Sequence, residues 1–397
     1  MAYPFSRDDV GYLTGSAGAA ALDRASELAL TDDSLIADLT VLRKICDRHA
    51  AAVVETVRLR RRGVTKLGER AATWLFTDEA LQQASPWPVA EHRARRMAGA
   101  GAAGVHDVTC SIGTDLAALS AAGVPTVLGS DLDPVRLAMA KTNVRGVAVV
   151  RADALAPVSR GLLPYADPSR RSAGRRITTI ATVPPVNELD AAYPDRPPVL
   201  RLPPGIDYES LDRPGEVEIV SLDGTAREAV LWPEEFAQRG IRRRASVLRT
   251  GENNWELTDL DDDGGTGTAP GPSAEWIVDP DAAVVRAHLV RQYAARHRMH
   301  LLDRHLAYLT GDRPPSGMRA FRVLDVAPYS ERMVSRWLLR DGVGTLEIKQ
   351  RGTPVIPDDL RRRLRTSMTK DTRTAATLVI ARIGQSPMAF WCRPNDG

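Results

Sequence analysis

The sequence predicts an α/β fold, a mainly parallel sheet wound with helices, with a helical region before it and a small α+β module after it. Three observations carry this. The run Asp107-Val108-Thr109-Cys110-Ser111-Ile112-Gly113-Thr114-Asp115 reads as strand, tight turn and helix start. Gly129-Ser130-Asp131-Leu132-Asp133-Pro134 then supplies a second strand ending in a carboxylate, one β-α unit later. Helical periodicity fills residues 1–98, while the last third mixes strand and helix patterns. A chain of 397 residues is too long for one typical domain. We expect a helical region at 1–98, the sheet domain at 99–258, a linker at 259–273, and a helix plus α+β module at 274–397.

The elements follow in order. Asp32 and Asp33 can cap a helix over 34–48, with Leu35, Ile36, Leu39 and Leu42 on one face. A second helix from about Ala51 carries Arg58, Arg60, Arg61 and Arg62, and 89–97 reads as another. Strands are expected at 105–110, 126–131, 147–150, 162–166 and 199–202. Gly123 ends the first crossover helix, and Pro134 opens the second. Asp223-Gly224 marks a hairpin between 217–221 and 228–232. Residues 259–273 include Asp261-Asp262-Asp263-Gly264-Gly265 and show no apolar period, as a flexible linker would. One helix is expected over 282–298. Beyond Phe321, helices are expected at 332–340 and 358–365, with strands at 344–350, 375–383 and 388–392.

Composition bounds the class. Apolar content of 43% and charged content of 26% fit a globular protein and argue against a disordered one. The three cysteines lie far apart, with neither zinc spacing nor a disulfide framework, which suits a reducing cytoplasm. No apolar run is long enough to span a membrane, and the first residues lack a signal-peptide pattern. His288, His297, His300 and His305 match no metal-ligand spacing, so no metal is expected. The net charge of +3 permits nucleic-acid binding without requiring it. Oligomeric state is left open.

The turn and the acidic strand tip together read as a nucleoside site, the alternative being a generic turn of this fold that binds nothing or another nucleotide. Turn amides face the ligand, and Asp131 can accept hydrogen bonds from both ribose hydroxyls. The turn after the strand at 105–110 carries no complete Gly-x-Gly-x-x-Gly to cradle a pyrophosphate, so a sulfonium nucleoside, S-adenosylmethionine, fits better than a dinucleotide. Gly113 would let the backbone approach that ligand, with Cys110 and Ile112 lining its amino-acid end. Asp133 competes with Asp131, but Pro134 after it makes a helix cap an equal reading. Asp153, after the third strand, suits the adenine amino group or a solvated loop.

These motifs and their order resemble a class I S-adenosylmethionine-dependent methyltransferase with a Rossmann-like sheet and a C-terminal THUMP-like domain. The central part is also similar to the cap guanine-N2 methyltransferase (trimethylguanosine synthase) group. The resemblance rests on Asp107 to Gly113, Ser130 to Pro134, Ala166-Asp167-Pro168-Ser169-Arg170-Arg171, Pro203-Pro204-Gly205-Ile206-Asp207, Glu347-Ile348-Lys349-Gln350-Arg351-Gly352, and Phe76-Thr77 with Gln82-Gln83-Ala84-Ser85. It implies that Phe76, Thr77, Asp107, Cys110, Ile112, Gly113, Asp131, Leu132 and Asp153 hold the cofactor. It places acceptor chemistry at Asp167 and Pro168. Amino-methylating relatives usually continue with a second proline and an aromatic; here Ser169, Arg170 and Arg171 follow. Arg170 and Arg171 could recognise phosphate or carboxylate on the substrate, or pair structurally with acidic side chains.

Arg58 to Arg62, Arg242 to Arg244 and Arg361 to Arg363 are either phosphate-tracking patches or solvated faces. Lys349 and Arg351 are expected on the substrate-holding surface of the C-terminal module. The implied activity is methylation of RNA at a base. Two alternatives remain: a methyltransferase for a small molecule or protein, and a non-catalytic protein that binds cofactor or RNA.

Overall fold

The computed structural model describes residues 3–168, 171–172, 175–176, 182–251, 253–369 and 372–394. The chain forms two compact units, residues 1–222 with 227–239, and residues 223–226 with 240–397.

The first unit opens with helices α1 (Arg7–Thr14), α2 (Ser16–Ser26), α3 (Leu35–Cys46), α4 (Ala50–Leu67), α5 (Asp78–Gln83) and α6 (Trp87–Gly99). Ser6 and Asp9 form a reciprocal capping box on α1. Helix α3 begins after Ser34, not after Asp32 or Asp33. Ser34 is held in a local turn, where its hydroxyl donates to Asp38 at 2.7 Å. The α/β part follows: β1 (Val105–Asp107), α7 (Thr114–Ala121), β2 (Val127–Asp131), α8 (Pro134–Asn143), β3 (Ala148–Arg151), β4 (Leu163–Ala166), the short β5 (Arg171–Ser172) and β6 (Arg175–Arg176), α9 (Val186–Ala192), β7 (Val199–Leu202), β8 (Glu216–Leu222) and β9 (Thr225–Trp232). The sheet runs β8-β9-β7-β4-β1-β2-β3. The pairs β1–β2, β1–β4, β2–β3 and β4–β7 are parallel, while β9 runs antiparallel to β7. The predicted α/β class and terminal hairpin are therefore present.

Apolar side chains explain the layering. Val105, Leu163, Tyr165, Val199 and Val230 of the sheet pack with Ala90, Ala94 and Met97 of α6. The core of the N-terminal helices continues into Ile112 and Met139, so these helices pack on the first turn and on α8.

The second unit contains β10 (Arg243–Leu248), β11 (Trp255–Thr258), β12 (Trp276–Val278), α10 (Ala282–Arg286), α11 (Val290–Arg296), β13 (His300–Leu301), β14 (Leu309–Gly311), β15 (Ala320–Pro328), α12 (Glu331–Asp341), β16 (Thr345–Arg351), α13 (Pro357–Leu364), β17 (Ala375–Ile383) and β18 (Ser386–Pro394). Its large sheet runs β13-β14-β12-β15-β18-β17-β16, with β16 and β17 parallel. Two expectations change here. The single helix over 282–298 is two helices, broken where His288 takes a positive φ of 58°. The strand at 320–328 was not expected; its outer half alternates in exposure, which leaves only a weak apolar signal. Residues 259–273 lie within this unit, where Asp262 and Asp263 accept from the Gly264 and Gly265 amides and Thr268 is buried.

Candidate active site

The carboxyl ends of β1, β2, β3 and β4 open on a cavity of about 480 Å³. The segment after β1 supplies Val108, Thr109, Cys110, Ser111 and Ile112. Asp131 and Leu132 come from the end of β2, Asp153 from beyond β3, and Asp167 from beyond β4. Ala80, Gln83 and Ala84 of the α5 region close one side, and Val183 to Pro185 with Glu188 another.

Strand β1 stops at Asp107, three residues earlier than expected. The Asp107 carboxylate accepts from the Thr109 amide at 3.1 Å and pulls the chain into a turn. Ser111 then sits at φ 49°, which is costly for a residue with a Cβ. Its amide donates to Asp131 at 3.0 Å, which holds that conformation. The other Asp131 oxygen accepts from the Asp133 amide at 2.8 Å. A carboxylate has about four lone-pair sites, so acceptor capacity remains on the cavity side. Asp133 is a cap: its side chain accepts from the Val135 and Arg136 amides.

Gly113 differs from the sequence expectation. It does not line the cavity. A Cβ there would meet Val144 Cγ2 at 2.9 Å and Ala140 Cβ at 3.4 Å, and its φ is 87°. The turn and the close approach of α8 require this glycine, rather than a ligand. Phe76 and Thr77 also stand behind the lining. Phe76 is buried in the helical core, and Thr77 caps α5 by accepting from the Ala80 amide at 3.1 Å. Asp107 lies beneath the turn, 1% exposed. Burial first, and then the Asp115 charge, push its carboxyl well above the usual range. Cys110 and Ile112 line the cavity while almost fully buried, and burial raises the Cys110 thiol well above its ordinary value. Leu132 and Asp153 are exposed at the mouth.

Asp167 is fixed from two directions. Its amide donates to Thr109 Oγ1 at 2.7 Å, and its carboxylate pairs with Arg201. Burial raises its carboxyl, and Arg201 opposes that shift. Arg201 also donates to Glu228 at 3.1 Å and to the Gln83 carbonyl at 3.2 Å. Glu228 pairs in turn with the buried Arg93, which holds Asp115. A chain of alternating charge thus runs Asp115–Arg93–Glu228–Arg201–Asp167, with both ends at the cavity. Arg201 was missed in the sequence, although Val199-Leu200-Arg201-Leu202 carried a signal: an arginine inside an apolar strand needs a buried partner. Pro168 is buried and is not in the lining. Arg170 lies outside the described residues, and only the backbone of Arg171 is described, paired with Arg176.

Electrostatics define what the cavity can hold. Asp115, Asp131, Asp153, Asp167 and Glu188 line it against Arg136 and Arg201. Arg136 is paired with Glu79 at 2.9 Å, and Arg201 with Asp167. A ligand with a sulfonium and an ammonium suits this carboxylate surplus, and the strand-tip Asp131 suits its ribose. The residues fit S-adenosylmethionine.

The arginine clusters resolve differently from the patch reading. Arg60 and Arg61 donate to backbone carbonyls of 73–74 and 26–29, and Arg58 and Arg62 pair with Asp32 and Asp78. Arg243 and Arg244 pair with Asp259 and Glu256. Arg361, Arg362 and Arg363 pair with Asp358, Asp359 and Glu331. Lys349 and Arg351 both reach Asp279, at 3.6 and 2.7 Å. No helix among the described residues is long and apolar enough to cross a membrane.

Comparison with known proteins agrees. Residues 318–394 match the THUMP domain-like family, and residues 6–63 match a domain of unknown function, DUF8688. Proteins from two strains of Mycobacterium tuberculosis, CDC 1551/Oshkosh and ATCC 25618/H37Rv, are each 47% identical over 364 residues. Those matches cover 87% of this chain and 98% of each relative, and both are described as uncharacterized S-adenosylmethionine-dependent methyltransferases. The crystal structure of a candidate methyltransferase from Porphyromonas gingivalis W83 shares the fold at a TM-score of 0.73 and 20% identity, over 99% of this chain and 100% of that one. The acidic cavity at the strand ends and the 47% identity over 87% of the chain place it among the S-adenosylmethionine-dependent methyltransferases, here with a THUMP-like domain at the C-terminus.

Proposed function

We propose that this enzyme methylates RNA at a base, with Asp167 holding the acceptor. The observation that carries the RNA reading is the match of residues 318–394 to the THUMP domain-like family, which we read as a module that helps to hold an RNA substrate. Asp167 and Pro168 at the end of the fourth parallel strand stand where the sequence resemblance expects the acceptor, which supports a nucleobase reading although Ser169, Arg170 and Arg171 depart from the amino-methylating pattern. When bound, S-adenosylmethionine supplies an electrophilic methyl group on its sulfonium. The chain's own residues do the rest. Asp131 and the 108–112 turn orient the nucleoside, and Val108, Cys110 and Ile112 keep water from one wall. Asp167 accepts a hydrogen bond from the acceptor and can take its proton, a role its raised carboxyl suits. Arg201 and Thr109 keep that carboxylate in place.

Transfer of tritiated methyl groups into RNA from a strain lacking this gene, followed by nucleoside mass spectrometry, tests the reading. A single labelled nucleoside is expected. Label only in protein or in small molecules would overturn the RNA assignment and favour the small-molecule or protein alternative.

A further inference from the structure

The second unit has a cavity of its own, of about 790 Å³. Its walls come from separated segments: the hairpin tip at Asp223 to Thr225, Arg249 and Thr250 after β10, residues 279–286 around α10, Arg319 before β15, and Lys349 and Arg351 on β16. Five cations line it: Arg249, Arg286, Arg319, Lys349 and Arg351.

The three carboxylates in the lining have structural work. Asp281 caps α10 by accepting from the Ala283 amide at 2.8 Å. Asp223 accepts from the Thr250 amide and hydroxyl at 2.8 and 2.9 Å. Asp279 holds Arg351 and Lys349 side by side. Those two residues are two apart on β16, so their side chains leave the same face of the strand. Arg351 also lies over the Tyr308 ring, 4.9 Å from its centroid, which fixes its plane. Its contact with Asp279 uses one of five guanidinium donors, so others remain for a ligand.

We infer that this cavity is a phosphate-binding site, taking consecutive phosphates of a single polynucleotide strand. Cations outnumber carboxylates in the lining, and most of them are arginines, whose planar forks match phosphate oxygens. The volume exceeds what one inorganic anion fills and falls within the range of a nucleotide-sized ligand. The cations stand on segments far apart in sequence, so the strand is gripped at several points instead of along one helix. The identity of the polyanion rests on the RNA reading above; the phosphate chemistry does not.

The test uses the full chain, with charge removed but hydrogen-bonding capacity kept. A triple variant, Arg286→Gln with Arg319→Gln and Lys349→Gln, is compared with a control, Arg361→Gln with Arg362→Gln, on α13 in the same unit. The probes are a fluorescent single-stranded RNA of about ten nucleotides and, separately, a fluorescent nucleoside triphosphate. Melting temperature and S-adenosylmethionine affinity confirm that each variant is folded. The triple variant should bind RNA at least about tenfold more weakly, and its log–log salt slope should fall by about two to three. The control should stay within about twofold of the native chain. Loss confined to the triphosphate would assign the site to a free nucleotide and overturn the strand-binding inference. Equal losses in triple variant and control, or none in the triple, would overturn the cavity itself. The methyl-transfer assay reads RNA as substrate independently, so the two readings can fail separately.

Discussion

The two cavities use the same ion-pair chemistry with opposite results. In the first unit the arginines are engaged in a buried chain, Asp115–Arg93–Glu228–Arg201–Asp167, which leaves carboxylates facing the opening. In the second unit Asp281 caps a helix, Asp223 accepts from Thr250, Asp279 is shared by Arg351 and Lys349, and Arg319 pairs with Glu347, yet five cations line the opening against three carboxylates. The sign of each site is set by which charged groups the fold brings to its lining, five carboxylates against two arginines in the first cavity and five cations against three carboxylates in the second. Net charge near neutrality therefore conceals one cavity suited to a cationic nucleoside and one suited to a polyanion.

The sharpest way to break the comparison is to remove the buried cation of the first unit. Arg93 is 1% exposed and serves both Glu228 and Asp115. Arg93→Met leaves the carboxylate of Asp115 without this counter-charge and Glu228 with Arg201 alone, and should destabilise the unit by about 3–5 kcal/mol in urea denaturation. A loss below about 1 kcal/mol would mean the chain of pairs does not organise the cavity.

Next in size is the strand-tip carboxylate. Asp131→Ala removes the acceptor for the Ser111 and Asp133 amides along with the proposed ribose contacts. Calorimetry should show S-adenosylmethionine affinity falling by about 2–4 kcal/mol, while the anion cavity of the second unit is unaffected. Unchanged affinity would remove Asp131 from the cofactor site.

A smaller effect comes from pH. Asp107 titrates well above the ordinary carboxylate range because it is buried and close to Asp115. The folded state thus favours its proton. That contribution to stability is complete below the unfolded carboxyl's pKa and is lost as pH rises through the folded value. A cation in the cavity favours the carboxylate form, so binding should release the proton and affinity should rise with pH through the folded value, then level. Calorimetry in two buffers of different ionisation enthalpy reads this release, and Asp107→Asn should reduce it to what Asp167 contributes. Binding without proton release at any pH would contradict the electrostatic account.

What was legible in the sequence was local. The strand, turn and second strand around Asp107 and Asp131, the hairpin at Asp223-Gly224, and the position of Asp167 after its strand all declare themselves within a few residues. The reason for Gly113 did not, because the α8 side chains that crowd it come from residues 140 and 144. Neither did the fate of Arg58 to Arg62, whose partners are backbone carbonyls and aspartates outside their own helix. Lys349 and Arg351 were singled out from one strand, but Arg249, Arg286 and Arg319 join them only through the fold of the second unit. Phe76 and Thr77 sit one layer behind the lining, since a cap and a core residue shape a wall without facing the ligand.

The central claim is that the acidic cavity is the site of methyl transfer, with Asp167 acting on the acceptor. The direct measurement is tritiated-methyl incorporation into RNA by the native chain and by Asp167→Asn, alongside S-adenosylmethionine affinity for both. The account predicts incorporation reduced by roughly 100-fold or more in the variant, with cofactor affinity within a few fold of the native value. Equal incorporation by the two proteins would contradict it.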